Sequence, residues 1–286
     1  MGRKHHAIDK SIKAAFQGER GAFSEEAAML LLGPAVEVVP CPRFQMVFER
    51  LASGAVDHAV VPIENTLHGS IHENYDHLLN FQLPIIGEVN LRIVHNLIAA
   101  PEMTYAKVRT VYSHPVAINQ CLQFFADRPH IEREIYYDTA GSVKMLMETR
   151  QPASAAIASS LAAEFYGAKI LKRSIEDDRR NFTRFFLLGK PGQIAPATPT
   201  REWKTSIAFT IRNVPGALFR AMSAFALRDI SLTKIESRPL RGKPWEYLFY
   251  ADFLGRADNP ASQRALNHLQ EFTDDFHLLG SYPKSV

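Results

Sequence analysis

The sequence predicts an α/β fold followed by a ferredoxin-like unit, on three observations. Between residues 14 and 190, short apolar runs alternate with amphipathic, helix-like stretches, the pattern of βα units around a mostly parallel sheet. Two longer apolar runs, 91–100 and 183–188, are not followed by a helix, as expected of strands that cross between two lobes. Beyond residue 204 the order reads strand, helix, strand, strand, helix, strand, which is the βαββαβ order of a ferredoxin-like unit.

The first five strands are expected at 14–16, 55–61, 108–112, 134–137 and 155–158. Helices are expected to open at Ser24, ahead of Glu25 and Glu26, at Ser113 ahead of Pro115, at Thr139 and at Ser159, because Ser and Thr cap free backbone N–H groups and Pro fits the first helical turn. The crossing strands divide the first domain, 14–190, into one lobe of about 14–91 with 185–190 and another of 92–184, a periplasmic-binding-protein-like arrangement with a cleft between lobes. Residues 1–13 read as a leader. Three prolines and two glycines between residues 189 and 200 rule out a helix or central strand, so 191–203 is a linker to the second domain, 204–286. Within that domain the strands are expected at 205–212, 231–237, 246–253 and 276–282, and the helices at 217–227 and 260–273.

Composition narrows the function. The 286 residues are 46% apolar and 22% charged, ordinary for a globular protein. Two cysteines, Cys41 and Cys121, are too few for a disulfide scaffold. The polar start, without a signal-peptide core, leads to a cytoplasmic, unanchored protein as the expectation. A net charge of +3 comes from scattered lysines and arginines, which suits a small anionic substrate better than nucleic acid. The pair His5 and His6 reads as part of a solvated tail.

Ligands in open α/β sheets bind beyond the carboxyl ends of strands. Four strand-end turns fit that role, at 18–24, 62–66, 112–115 and 138–142. Gly18 and Gly21 fall short of a nucleotide-binding pattern, and no GxSxG, HExxH or Cys/His nucleophile pair occurs. The segment NFTRFFLLG, 181–189, places polar Thr183 and Arg184 at the start of an apolar strand. By composition alone, a simple strand start with a snorkelling arginine accounts for it equally well.

These stretches taken together resemble the prephenate dehydratase family. NFTRF at 181–185 resembles its Thr-Arg-Phe signature, and VVPIENT at 60–66 with Gly69 and Ser70 resembles a second characteristic stretch. YSHP at 112–115 with Gln120 and Cys121, and Gly87 with Glu88, are similar as well. GALF at 216–219 and ESRP at 236–239 resemble the two phenylalanine-binding motifs of the family's ACT regulatory domains, with Phe219 where an aliphatic residue is usual, and Lys243-Pro244-Trp245 corresponds to an Asn-Pro-Trp of some relatives. The resemblance runs in order from Ala14 to the C-terminus, and only thirteen residues precede it, so a monofunctional enzyme without a chorismate mutase domain is expected.

The resemblance implies an enzyme that dehydrates and decarboxylates prephenate to phenylpyruvate in phenylalanine biosynthesis, without metal or cofactor and under control by L-phenylalanine. It implies Thr183 as the donor to the departing hydroxyl. Arg184 would grip a substrate carboxylate, and Asn65, Thr66, Ser113, Gln120 and Phe185 would line the substrate site. Glu64 is either a structural helix-start acid or a carboxylate near the leaving group. His114 suits a structural hydrogen bond in its capping turn better than acid catalysis. Gly216, Ala217, Leu218, Glu236, Ser237, Arg238 and Pro239 would hold phenylalanine, and exposed sheet edges would pair chains into a homodimer or homotetramer. Two rivals remain at this point: arogenate dehydratase, which performs the same chemistry on the transaminated substrate, and a non-catalytic two-lobed sensor.

Overall fold

A computed structural model of the chain describes residues 12–198, 201–240 and 246–285. Residues 1–11 of the leader, with His5 and His6, and Lys243-Pro244-Trp245 lie outside the described residues, while Lys13, the last residue assigned to the leader, opens the first strand. In chain order the elements are β1 (Lys13–Gln17), α1 (Phe23–Leu32), β2 (Glu37–Cys41), α2 (Phe44–Ala52), β3 (His58–Asn65), β4 (Gly69–Ser70), α3 (His72–Phe81), β5 (Ile85–Arg92) and β6 (Asn96–Ala99). They continue with β7 (Thr110–Ser113), α4 (Pro115–Asn119), α5 (Leu122–Ala126), β8 (Glu132–Ile135), α6 (Thr139–Thr149), β9 (Ser154–Ala158), α7 (Ser160–Phe165), β10 (Lys169–Lys172) and β11 (Phe182–Leu188). The last six are β12 (Trp203–Ile211), α8 (Ala217–Ala226), β13 (Leu232–Pro239), β14 (Tyr247–Leu254), α9 (Pro260–Gln270) and β15 (Asp275–Pro283).

The chain divides into two compact units. One runs through Ser70 and resumes from Leu91 to Phe185; the other comprises Ile71–Asn90 and Phe186 onward. Strands β5 and β11 therefore begin in one unit and end in the other, and α3 groups with the C-terminal half of the chain.

The first unit is α/β and two-lobed, with one sheet in each lobe. In one lobe the strand order is β2-β1-β3-β11, with β1 parallel to both neighbours and β4 folded back antiparallel on β3. In the other the order is β10-β6-β9-β7-β8, and β8, β7 and β9 run parallel. The apolar run 91–100 is one strand in expectation and two in the structure. It breaks at 93–95, where the His95 backbone bonds to Glu176 and Ile175 instead of a sheet neighbour. Ile93 N–H donates to Asn181 O, so the outgoing and returning crossings run side by side. β2 and β10 were not expected: both lie at sheet edges, short and partly exposed, and Pro40 within β2 is tolerated because an edge strand can spare an N–H.

Helix starts differ from expectation by a residue or two. Ser159 caps α7 as expected, its hydroxyl accepting Ala162 N–H at 3.0 Å. α1 starts after Ala22 rather than Ser24, since the Glu25 carboxylate reaches back to accept Gly21 N–H at 2.7 Å. Asp138 replaces Thr139 as the cap of α6, and His114 replaces Ser113 as the cap of α4.

The 18–22 loop of the first lobe is fastened to the second. Ser159 donates to Gly21 O at 2.6 Å, while Tyr137 and Lys144 both reach Glu19. Gly21 has φ +84, and a Cβ there would come within 2.4 Å of Ala162 Cα, so both backbone angle and space demand glycine.

The second unit contains a four-stranded sheet of order β13-β14-β12-β15 with α8 and α9, the ferredoxin-like βαββαβ order. Its core gathers Ile207, Phe209, Phe225, Phe253, Leu266 and Leu269. Glu88 and Lys204, both almost wholly buried, pair at 3.0 Å. Residues 189–198 carry no helix or strand, as expected of the linker.

Gly21→Ala is expected to lower the unfolding free energy by about 2 kcal/mol or more, from the left-handed φ together with the clash. Denaturant unfolding of the variant against the wild type checks this.

Candidate active site

Strand β3 carries Glu64 and Asn65 at its end, and β11 carries Thr183 and Arg184 at its start. The stretch 62–66, read from sequence as a turn before a helix, is instead the strand's last residues, which pair with β4 in a hairpin (Glu64↔Ser70, Asn65↔Gly69). Glu64 is therefore not a helix-start acid; α3 opens only at His72. Successive residues of a strand face opposite sides, which sorts the four side chains into two pairs. Asn65 meets Thr183, with its amide nitrogen 3.0 Å from the Thr183 hydroxyl oxygen. Arg184 approaches Glu64, at 4.0 Å, with its guanidinium largely buried.

The Asn65 amide has one orientation open to it. Its oxygen accepts the backbone N–H groups of Leu67 and His68 at 3.0 and 3.1 Å, and a backbone N–H can only donate. Its nitrogen is thus the donor, its two hydrogens shared among Thr183 Oγ1, Asn181 Oδ1 at 2.8 Å and Phe182 O at 3.1 Å. Thr183 then accepts from Asn65 through its oxygen, which leaves its own hydroxyl hydrogen to be given elsewhere.

The chain of bonds continues across the lobes. Asn181, fully buried, donates through its nitrogen to Gln120 Oε1 at 2.9 Å. Gln120 Oε1 also faces His95 Nε2 at 2.7 Å, and Gln120 Nε2 faces His68 Nδ1 at 3.1 Å. The site is a run of neutral donors and acceptors spanning both lobes, with Thr183 at one end.

Other residues expected at the site are occupied differently. The buried Ser113 hydroxyl donates to Ile157 O at 2.7 Å and is thereby part of the β7–β9 packing. Thr66 stitches β3 to the returning segment: its hydroxyl donates to Arg180 O and accepts Phe182 N–H. Phe185 is a core side chain, 2% exposed. His114 accepts Val116 N–H on Nδ1 as the cap of α4, and burial lowers its pKa. Among the described residues no cluster of three or more His, Cys, Asp or Glu side chains has the geometry to hold a metal ion.

Comparison with known proteins decides the family. A family model for prephenate dehydratase matches residues 14–193. The chain belongs to the prephenate dehydratase family. It is 44% identical over 281 residues, 95% of this chain and 73% of its relative, to arogenate dehydratase/prephenate dehydratase 2, chloroplastic, of Arabidopsis thaliana. Among solved structures it is similar to the prephenate dehydratase of Arthrobacter aurescens in complex with L-Phe (31% identity, TM-score 0.87, 96% of this chain and 90% of that one). It is similar also to GqqA, described as a novel type of quorum quenching acylase (32% identity, TM-score 0.87, 96% and 98%). As a prephenate dehydratase family member the chain is a lyase.

Within this lyase the structure joins Thr183, Asn65 and Gln120 into one network, and leaves Arg184 with Glu64, Ser113, Thr66 and Phe185 outside it. Three members were absent from the sequence-derived site: Asn181, His95 and His68. Asn181 stands inside the NFTRF stretch, and His95 interrupts an apolar crossing run. A buried polar residue in such a run is the signal that could have found it.

In the second unit, a depression of about 350 Å³ lies at the start of α8, lined by Asn213, Gly216, Leu218, Phe219, Ser237 and Tyr247 among others. Gly216 adopts φ +76 as the residue before the helix, which brings free backbone N–H groups to the opening. The alternation of β13 splits the ESRP stretch: Ser237 faces this depression, whereas Glu236 contacts Lys234 and His72, and Arg238 pairs with Asp76 of α3 at 2.5 Å.

Replacing Asn181 by Leu removes the link between Asn65 and Gln120 and leaves their buried polar atoms short of a partner. A loss of about 1–3 kcal/mol in unfolding free energy is expected, measurable by denaturant titration.

Proposed function

We propose that the enzyme converts prephenate to phenylpyruvate, and that its C-terminal unit is an ACT domain through which L-phenylalanine regulates it. What carries the catalytic reading is the Thr183 hydroxyl, whose oxygen takes Asn65 N–H and whose hydrogen is thereby free for a leaving group. Hydroxide departs poorly unless a proton or a strong hydrogen bond accompanies the breaking C–O bond. Loss of carbon dioxide supplies the electron pair that expels it, and the ring becomes aromatic. The protein has mainly to hold the substrate and meet the departing oxygen. A threonine hydroxyl is a weak acid, so Thr183 serves as a positioned donor.

A neutral lining supports the same reading. Gln120 and Thr183, held in place by Asn181 and Asn65, offer hydrogens to an anionic substrate without a fixed positive charge that would hold back the carboxylate that must leave. Arogenate fits the same geometry as a second reading, favoured by the relative named for both activities. Regulation is supported by the βαββαβ order, by the Gly216 helix start beside Ser237, and by the similar Arthrobacter enzyme seen with L-Phe. Pairing of exposed edges β13 or β15 between chains would give the homodimer or homotetramer we propose.

Thr183→Ala is expected to lower kcat by about 10²–10⁴-fold with KM changed less than about threefold, and Thr183→Ser to restore most of the rate. The assay is phenylpyruvate formation from prephenate, with arogenate in parallel and L-phenylalanine titrated in. A falling rate as phenylalanine rises is the expected response, and turnover of neither substrate by the wild type would favour the sensor.

A further inference from the structure

We infer that His95 is a positioning residue for this reaction: a neutral imidazole with its proton on Nε2, it holds the Gln120 amide with N–H groups, not the carbonyl oxygen, toward the cleft. This rests on the reading of the cleft as a site for a prephenate-like dianion.

The polarity of the network can be followed link by link. The Leu67 and His68 backbone N–H groups fix Asn65 Oδ1 as an acceptor, Asn65 Nδ2 fixes Asn181 Oδ1 as an acceptor, and Asn181 Nδ2 donates to Gln120 Oε1. Gln120 Oε1 is therefore an acceptor, and the ring nitrogen 2.7 Å from it, His95 Nε2, must carry a proton. With both lone pairs of Oε1 engaged, Gln120 has only its two N–H hydrogens left to offer. One lies toward His68 Nδ1 at 3.1 Å. The other is available to a bound anion.

His95 is built to keep that arrangement. It is 2% exposed, and its ring meets the edge of Phe23 at 5.7 Å. Its N–H donates to Glu176 Oε2 at 3.1 Å, its carbonyl accepts Ile175 N–H at 2.9 Å, and Arg92 holds the same Glu176 carboxylate. The backbone is pinned on both sides, and burial with the Phe23 contact confines the ring. Its second nitrogen, Nδ1, is buried without a hydrogen-bond partner. A proton there would be an unsolvated, unpaired charge, and burial accordingly lowers the ring's pKa despite the nearby Glu176.

Were the Gln120 amide to turn over, its carbonyl oxygen would confront a substrate carboxylate, and donation would become repulsion. Once His95 is removed, Gln120 Oε1 keeps only Asn181 as a donor, and the contact of Gln120 Nε2 with the exposed His68 is left as the other restraint on that turn. The effect on the reaction passes through Gln120, and His95 itself need not touch the substrate.

The test combines imidazole nitrogen NMR of the wild type with steady-state kinetics on prephenate for His95→Leu, His95→Gln, Gln120→Ala and the His95→Leu/Gln120→Ala double variant. The expected spectrum places His95, assigned by its loss in His95→Gln, in the neutral Nε2–H form throughout the range in which an ordinary histidine titrates. His95→Leu should raise KM about tenfold with kcat altered less than about threefold. His95→Gln, which keeps a donor at that place, should recover most of the loss. In the Gln120→Ala background, His95→Leu should add nothing further. An imidazolium or an Nδ1–H tautomer, an unchanged KM, or a loss that adds in full to that of Gln120→Ala would overturn the inference. The spectrum needs no folded His95→Leu variant. A wild type that turns over neither prephenate nor arogenate would instead sink the functional reading, and the tautomer would still decide the assignment of His95.

Discussion

Two backbone N–H groups, those of Leu67 and His68, set the direction of every hydrogen bond in the cleft by converging on the Asn65 carbonyl oxygen. Side-chain amides are nearly symmetric in shape but opposite in polarity at their two ends, so a network of them needs one fixed point. The β3–β4 hairpin supplies it. From there donation runs one way, through Asn181 to Gln120 and directly to Thr183. The unassigned hydrogens at the two ends, on Thr183 and on Gln120, are what the cleft offers to an anion with a departing hydroxyl.

That polarity is useful only if the lobes that carry it stay in register. Asn65 and Thr183 belong to the sheet of one lobe, Gln120 and His95 to the other. The paired crossings at 93 and 181 and the fastening of the 18–22 loop to Ser159, Tyr137 and Lys144 hold the lobes together from two sides. Gly21 is the tightest point of that fastening, since no side chain fits between its backbone and α7. In the C-terminal unit a similar division of labour follows from strand alternation. One face of β13 presents Ser237 to the depression beside Gly216, and the other ties Glu236 and Arg238 to α3.

Much of this was legible in the sequence where local pattern determines it. The strands β1, β3, β7, β9 and β11, and all six elements of the C-terminal domain, lie within a few residues of where periodicity and turn residues place them. Edge strands β2 and β10 escaped because they are short and half-exposed and so lack an apolar run. The helix at Phe23 begins early because Glu25 caps from inside the helix, which no rule about Ser or Thr at the start detects. The candidate site divides in the same way. Thr183, Asn65 and Gln120 were readable from motif resemblance, but their common network joins residues 116, 61 and 25 positions apart, and only tertiary structure reveals it. Arg184 was paired with Thr183 by adjacency in sequence, whereas a strand sends neighbours to opposite faces and gives Arg184 to Glu64.

The central claim is that Asn65 must donate to Thr183 for the Thr183 hydrogen to face the substrate. Asn65→Asp preserves size and shape and keeps an oxygen for Leu67 and His68 N–H, but it replaces the donor with an acceptor that draws the Thr183 hydrogen to itself. The measurement is kcat of this variant on prephenate at neutral pH, alongside its thermal midpoint. A fall of about 10²-fold or more in kcat, with the midpoint lowered but the protein still folded at the assay temperature, is the predicted result, because the new carboxylate also faces Asn181 Oδ1 and Phe182 O. A variant that turns over within about threefold of the wild type would contradict it, because Thr183 would then be a donor, or dispensable, whatever Asn65 does.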